Sequence, residues 1–127
     1  MNAHGLNNVV LEGRVVHSYP FYPSNIEGTR ANQERIEEAA AGLDRWALWG
    51  DLDESFGLTP AAMEQVKDWV LTLPAKGCVA MAWTLAMPHF AYYADRIAEV
   101  IAVPFLSSAD REEVRRFLEE ALAGTAD

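Results

Sequence analysis

The sequence predicts one α/β domain over residues 1–127, with a mostly parallel sheet of four to five strands and helices packed on it. Three observations predict this class. The length is about that of one domain. Short apolar runs alternate with amphipathic runs of helical period. The central apolar runs have no polar face, which is typical of parallel strands covered by helices on both sides.

The first strands are predicted around Gly13. The segment "NVVLEGRVVHSY", Asn8 to Tyr19, holds two β-branched runs separated by Glu12 and Gly13. This pattern predicts either two paired strands or one strand kinked at Gly13. The following "PFYPSN" contains two prolines and is predicted to be a loop.

A first helix is predicted in "TRANQERIEEAAAGL", with Thr29 as its N-cap and Gly42 at its end. Gly28 disfavours an earlier start, although Ser24 and Glu27 have capping-box spacing. Apolar residues recur at helical spacing and predict the buried face: Ile36, Ala39, Ala40 and Leu43.

The next strand, Arg45 to Gly50, is predicted to be buried on both sides. Alternation points Trp46 and Leu48 to one face of the sheet and Ala47 and Trp49 to the other. Both faces are apolar, so this strand belongs between two helical layers.

The segment "LTPAAMEQVKDWVLTL" predicts a second helix. Thr59 is a suitable N-cap, Pro60 suits the first helical position, and Leu58 is placed to pack on Met63. Its predicted core face follows the helical period: Met63, Val66, Val70 and Leu73.

Three more elements complete the chain. Cys78 to Ala86 is predicted as a strand, and a short helix begins near Pro88 with Phe90, Ala94 and Ile97 on one face. Val100 to Phe105 is predicted as a strand whose end, or whose whole length, lies near a sheet edge, because Pro104 has no backbone donor. A closing helix begins near Ala109, capped by Ser107 or Ser108, and its predicted buried residues are Val114, Phe117, Leu118, Ala121 and Leu122.

This order of elements resembles the SpoIIAA-like, or STAS-like, fold of anti-sigma-factor antagonists and of a related group of small uncharacterised bacterial proteins. Local similarity lies in "GDLDESFGLTP" and "VPFLSSADREEVRRFLEEAL". In the antagonists, an Asp-Ser-Ser-Gly-Leu-type loop carries a serine that the partner kinase phosphorylates. The matching segment here is Glu54-Ser55-Phe56-Gly57-Leu58, so the resemblance implies Ser55 as a candidate phosphoacceptor. Glu54 and Phe56 depart from the motif.

Composition excludes several functions. The net charge of −9 repels nucleic acid phosphates, so we expect no nucleic acid partner. The longest apolar run, "CVAMAWTLAM", is far below the ~20 residues that a membrane span needs, so no transmembrane segment is expected. The first residues lack the pattern of a secretory signal, and Cys78 is the single cysteine. We therefore expect a cytoplasmic protein.

No catalytic residue, metal site or cofactor is predicted. Asp51, Asp53 and Glu54 follow a strand end, where three acids can hold Mg²⁺ or exchange protons, but the same residues also suit a polar loop before a helix. The sequence offers no Gly-rich phosphate loop and no His–carboxylate pair to support them. Cys78 is predicted to be an inert core thiol. The histidines lack ligand spacing: His4, His17 and His89.

Three functions remain open. The first is a non-enzymatic module that acts by protein–protein contact with a partner of unknown identity, and as a homodimer, because so many aromatic residues leave apolar surface exposed. The second is a domain that binds a small apolar molecule or lipid in an aromatic groove formed by Phe21, Tyr22, Phe90 and Tyr93. The third is a small enzyme centred on the acids from Asp51 to Glu54.

Overall fold

The structure is a computed structural model that describes residues 7–20, 23–52, 57–85 and 91–124. The strands in these ranges are β1 (Asn7–Glu12), β2 (Val15–Pro20), β3 (Pro23–Ser24), β4 (Trp46–Leu52), β5 (Gly57–Leu58), β6 (Cys78–Leu85) and β7 (Phe105–Ser108). The helices are α1 (Ile26–Ala40), α2 (Pro60–Val70), α3 (Ala91–Ala98) and α4 (Arg111–Gly124), with a short 3₁₀ turn at Pro74–Lys76.

The main sheet has five strands in the order β1-β2-β4-β6-β7. Strand β1 is antiparallel to β2, and the other neighbours are parallel, so the prediction of a mostly parallel sheet is confirmed. The hairpin turn contains Gly13, whose φ of 63° suits glycine, and this resolves the first segment into two paired strands. Strands β3 and β5 form a separate parallel pair that the sequence did not predict.

Helices cover both faces of the sheet, as the apolar strands require. Trp46 and Leu48 pack into a core cluster with residues of α1, α2 and α3. Ala47 and Trp49 pack on the other face, in a cluster with α4 that contains Val114 and Leu118. The alternation predicted for β4 is therefore confirmed.

Helix α1 begins at Ile26, so the predicted start near Thr29 is wrong. Asn25 is the N-cap, and its side-chain oxygen accepts a hydrogen bond of 2.9 Å from the Gly28 N–H. Gly28 and Thr29 are buried inside the first turns. The cap and this burial outweigh the roughly 1 kcal/mol by which glycine disfavours a helix.

The predicted strand Val100 to Phe105 is displaced in the structure, where β7 covers Phe105–Ser108. Pro104 has no N–H, and it joins the sheet through its carbonyl, which accepts a 3.0 Å hydrogen bond from the Met81 N–H. Val100 and Ile101 still pack on the core, although they lie outside the strand. The predicted edge position is correct, since β7 is the last strand of the sheet.

Helix α4 begins at Arg111, and its cap is neither Ser107 nor Ser108, because both belong to β7. Asp110 accepts hydrogen bonds from the N–H groups of Glu112 and Glu113, at 2.9 and 3.3 Å. An aspartate oxygen in this position satisfies donors that the first helical turn leaves free. The predicted buried face of α4 is confirmed.

The start of α2 agrees with prediction, because the Thr59 hydroxyl accepts a 3.1 Å hydrogen bond from the Ala62 N–H and Pro60 is the first helical residue. The packing of the Leu58 side chain lies outside the described residues. Helix α3 is described from Ala91, so the predicted start near Pro88 and the Phe90 side chain also lie outside them.

Candidate functional site at the carboxyl ends of the strands

Polar and aromatic side chains meet near the carboxyl ends of β2 and β4. This edge of a parallel sheet is where α/β proteins usually bind ligands. The parallel register pairs His17 with Trp49, and both side chains lie on the α4 face of the sheet. With a side-chain period of two, Tyr19 and Asp51 follow on the same face. We name this group of four residues the His17 cluster.

His17 lies at the centre of the cluster and is 1% exposed. Its ring stacks between Tyr19 and Trp49, with centroid distances of 4.1 Å to each. Its Nδ1 lies 2.9 Å from the Tyr19 hydroxyl oxygen, and its Nε2 lies 3.3 Å from Asp51 Oδ2. An ionised Asp51 only accepts hydrogen bonds, so Nε2 carries a proton, and in the neutral ring Nδ1 accepts from the Tyr19 hydroxyl.

Asp51 connects the sheet to α4. Its side chain is 15% exposed, and the Arg111 guanidinium donates a hydrogen bond to the oxygen that also contacts His17. Burial acts to raise the pKa of Asp51, but the hydrogen bonds from His17 and Arg111 outweigh it, so this pKa lies below its ordinary value. The hydrogen bond to Asp51 raises the pKa of Arg111. Both groups are therefore charged at neutral pH.

Trp49 provides a second connection between the sheet and α4. Its indole N–H donates a 2.7 Å hydrogen bond to the Thr84 hydroxyl on β6. The guanidinium carbons of Arg111 and Arg115 lie 5.1 and 5.2 Å from the Trp49 ring centroid, within cation–π range. The first two turns of α4 are therefore held to β4 by an ion pair and by two cation–π contacts.

A histidine between a carboxylate and a hydroxyl is an arrangement that can move a proton. In the His17 cluster, the described contacts join these groups to each other, to Arg111 and to Glu12, whose Oε1 lies 3.8 Å from His17 Nδ1. This His–carboxylate pair is not visible in the sequence, because His17 and Asp51 lie 34 residues apart. The signal in the sequence that points to this site is Asp51 at the end of a strand with two apolar faces. The parallel register of β2 with β4 then brings His17 beside it.

Most of the predicted site residues lie outside the described residues: Phe21, Tyr22, Asp53, Glu54, Ser55 and Phe90. Tyr93 is half-buried and packs against the larger core cluster. Asp51 is therefore the one member of the acidic group that the structure places, and its partners are His17 and Arg111.

The thiol of Cys78 is buried, and desolvation raises its pKa to about 11, which agrees with an inert core residue. Across the described ranges, no group of three or more His, Cys, Asp or Glu side chains is placed to hold a metal ion. None of the helices in these ranges combines the length and the apolar composition that a membrane span requires.

A groove of about 270 Å³ lies at the opposite end of the sheet, between the end of α1 and the start of β4. Glu37 and Lys76 form an ion pair of 2.7 Å on its rim, and the Trp69 indole N–H also donates to Glu37. A smaller cavity of about 70 Å³ lies beside Trp49 and Arg115. Both are below the ~300–1,000 Å³ typical of small-molecule sites.

Comparison with known proteins shows which fold this chain has. The chain has the SpoIIAA-like fold, an α/β domain with a mixed sheet and helices on both faces. A similar solved structure is that of an uncharacterized protein of the DUF3478 family from Shewanella loihica PV-4. The two share a TM-score of 0.61 and 18% sequence identity, over 91% of this chain and 94% of that chain.

This likeness confirms the predicted resemblance at the level of the fold. No family model matches the chain. No curated protein matches it either.

Proposed function

We propose that the protein is a non-enzymatic, cytoplasmic module of the STAS-like type that acts by contact with another protein. The contact surface is β1, which in the described part of the chain is an edge strand with no neighbour on its outer side. The cytoplasmic assignment is supported by the single cysteine, a free buried thiol that needs no oxidising compartment.

The observation that carries this proposal is the exposure of β1. Val10 and Leu11 are each 44% exposed on this edge strand, and they point to opposite faces of the sheet because they are consecutive. An edge strand presents a row of backbone N–H and C=O groups that an added strand can pair with. The other edge, β7, has four residues and follows Pro104, which makes it a poorer template.

In this proposal the His17 cluster has a structural role, which is to support the edge strand β1. Val10 pairs with His17 across the hairpin, so the exposed edge rests directly on the cluster. The stacked rings of Tyr19, His17 and Trp49 keep β2 rigid behind β1. A rigid edge loses less conformational entropy when a partner strand is added.

The test replaces Val10 with Lys, which introduces a charge on the edge strand. Leu71→Lys is the matched control, because Leu71 is also an exposed aliphatic residue, at 57%, but lies in the turn after α2. Tagged wild type and both variants are returned to the native host, and captured proteins are quantified by mass spectrometry. We expect Val10→Lys to reduce recovery of the partner at least tenfold and Leu71→Lys to leave it unchanged. Equal recovery with all three proteins would contradict the proposal.

The alternative function, binding of a small apolar molecule or a lipid, is favoured by the aromatic pair on α3. Tyr92 is 60% exposed, and its ring lies edge-to-face with Tyr93 at a centroid distance of 5.8 Å. Native mass spectrometry of protein purified from its own host tests this function. A bound small molecule that is lost in Tyr93→Ala, but kept in Val10→Lys, would replace the interaction proposal with this one.

A further inference from the structure

We infer that the partner at the open edge is a second copy of this chain, and that the two β1 strands pair antiparallel with Val10 opposite the partner's Val10. This inference rests on the proposed use of β1 as a contact surface. It adds the identity of the partner, the symmetry of the contact and its register. The result is a continuous sheet through both subunits.

Symmetry restricts the possible registers. A two-fold axis normal to the sheet makes the two edge strands antiparallel and keeps equivalent faces on the same side. Directly opposed residues must therefore lie on the same face. In the hairpin, Val10 is opposite His17 and lies on the α4 face, whereas Val9 and Leu11 lie on the other face. The axis must then pass beside a residue and not between two residues, and near the centre of the strand this residue is Val9, Val10 or Leu11.

Side-chain chemistry selects Val10 as the centre. In that register Val10 faces the partner's Val10, and Val9 faces the partner's Leu11 on both sides of the axis. All three central pairs are apolar, which is the favourable type of cross-strand contact. An axis at Val9 would place Val10 opposite Asn8 of the partner subunit. An axis at Leu11 would place Val10 opposite the partner's Glu12.

The charge on β1 does not oppose the register centred on Val10. Glu12 is the only charged residue in β1, and it would lie across from the uncharged Asn8 of the partner subunit. The two Glu12 residues would be four positions apart along the strands, about 14 Å. This exceeds the Debye length of about 8 Å at physiological salt, so their repulsion is largely screened.

The strand also carries few of the features that protect edge strands from self-pairing. Residues Asn7–Glu12 include no proline and no lysine, and their register with β2 runs from Asn7–Pro20 to Glu12–Val15 without a bulge. Proline, lysine and bulges are among the features by which natural edge strands avoid such pairing, and Glu12 at the end of β1 is the one charged side chain of the strand. The exposed apolar residues of β1 are therefore consistent with a paired strand.

Cysteine cross-linking tests the register directly. In the inferred dimer the Cα atoms of Val10 and the partner's Val10 lie about 4.5–5.5 Å apart, within the range that a disulfide bridges. The two Leu11 Cα atoms would be about 8–9 Å apart, beyond that range. We therefore expect Val10→Cys to form a covalent dimer under mild oxidation at least tenfold faster than Leu11→Cys. Wild type, with Cys78 buried, gives the background rate.

Sedimentation of the reduced proteins at roughly 10–100 µM completes the test. We expect a dimer for wild type and Leu71→Lys and a monomer for Val10→Lys. Faster cross-linking of Leu11→Cys than of Val10→Cys would overturn the register. A monomeric wild type without Val10→Cys cross-linking would overturn self-pairing. In that case the capture experiment still decides the proposed function, because a different protein lost only from Val10→Lys would preserve it.

Discussion

His17 and Asp51 show how strongly the role of a residue depends on its neighbours. In sequence His17 is an isolated histidine in a strand, and Asp51 is one of several acids before a helix. In the structure they share a hydrogen bond of 3.3 Å, and Asp51 also pairs with Arg111 of α4. A half-buried carboxylate with two such partners stabilises the folded state while it is ionised.

At the residue scale, we predict that Asp51→Asn lowers the free energy of unfolding by about 1–3 kcal/mol at pH 7. The pKa of Asp51 is lowered on folding, so its stabilisation is fully present above the ordinary carboxyl pKa and is lost as the pH falls through the folded pKa. The difference from wild type should therefore shrink below about pH 4. Urea unfolding between pH 3 and 7, with the exposed Asp68→Asn as a control, measures it. A difference that grows on acidification would show that Asp51 is not stabilised as a carboxylate.

At the scale of elements, the start of α4 depends on one short connection. Ser108 ends β7, and its hydroxyl accepts a hydrogen bond from the Asp110 N–H and donates one to Glu113. Asp110 then caps the helix. These contacts fix the direction in which α4 leaves the sheet, and so they set where Arg111 and Arg115 meet Trp49 and Asp51.

We predict that Asp110→Ala lowers the free energy of unfolding by about 0.5–2 kcal/mol, because two backbone donors of α4 lose their acceptor. Ser107→Ala is the control, since Ser107 is an exposed residue of β7, and it should change stability by less than about 0.5 kcal/mol. Chemical denaturation of the two variants compares them. If Ser107→Ala lowered the free energy of unfolding more than Asp110→Ala, the cap of α4 would be a serine of β7 and not Asp110.

At the scale of the whole molecule, the net charge of −9 opposes self-association. The inferred contact at β1 is mostly apolar, so salt screens the long-range repulsion without removing much local attraction. The balance between the charge repulsion and the apolar attraction at β1 determines whether the protein is a monomer or a dimer at a given ionic strength.

We therefore predict that the dimer becomes more stable when ionic strength rises from about 0.01 M to about 0.15 M, where the Debye length falls from about 30 Å to about 8 Å. Sedimentation velocity at constant pH and protein concentration measures the dimer fraction. A dimer that dissociates on addition of salt would instead be held by ion pairs, which would argue against the apolar contact at β1.

The sequence by itself determined the class of fold and the burial of most elements. Apolar residues on both faces of β4 required two helical layers, and helical spacing identified the buried faces of α2 and α4. Thr59 and Pro60 correctly marked the start of α2. These features depend on local periodicity and capping, which are encoded within a few neighbouring residues.

Only the tertiary structure decided which distant residues meet. The predicted start of α1 and the strand before Phe105 were wrong, because a cap at Asn25 and the missing donor of Pro104 outweighed the local patterns. The His17 cluster depends on the parallel register of β2 with β4 and on the placement of α4 across that face. One sequence records residue types and spacing along the chain, whereas register and helix docking follow from the packing of the whole molecule.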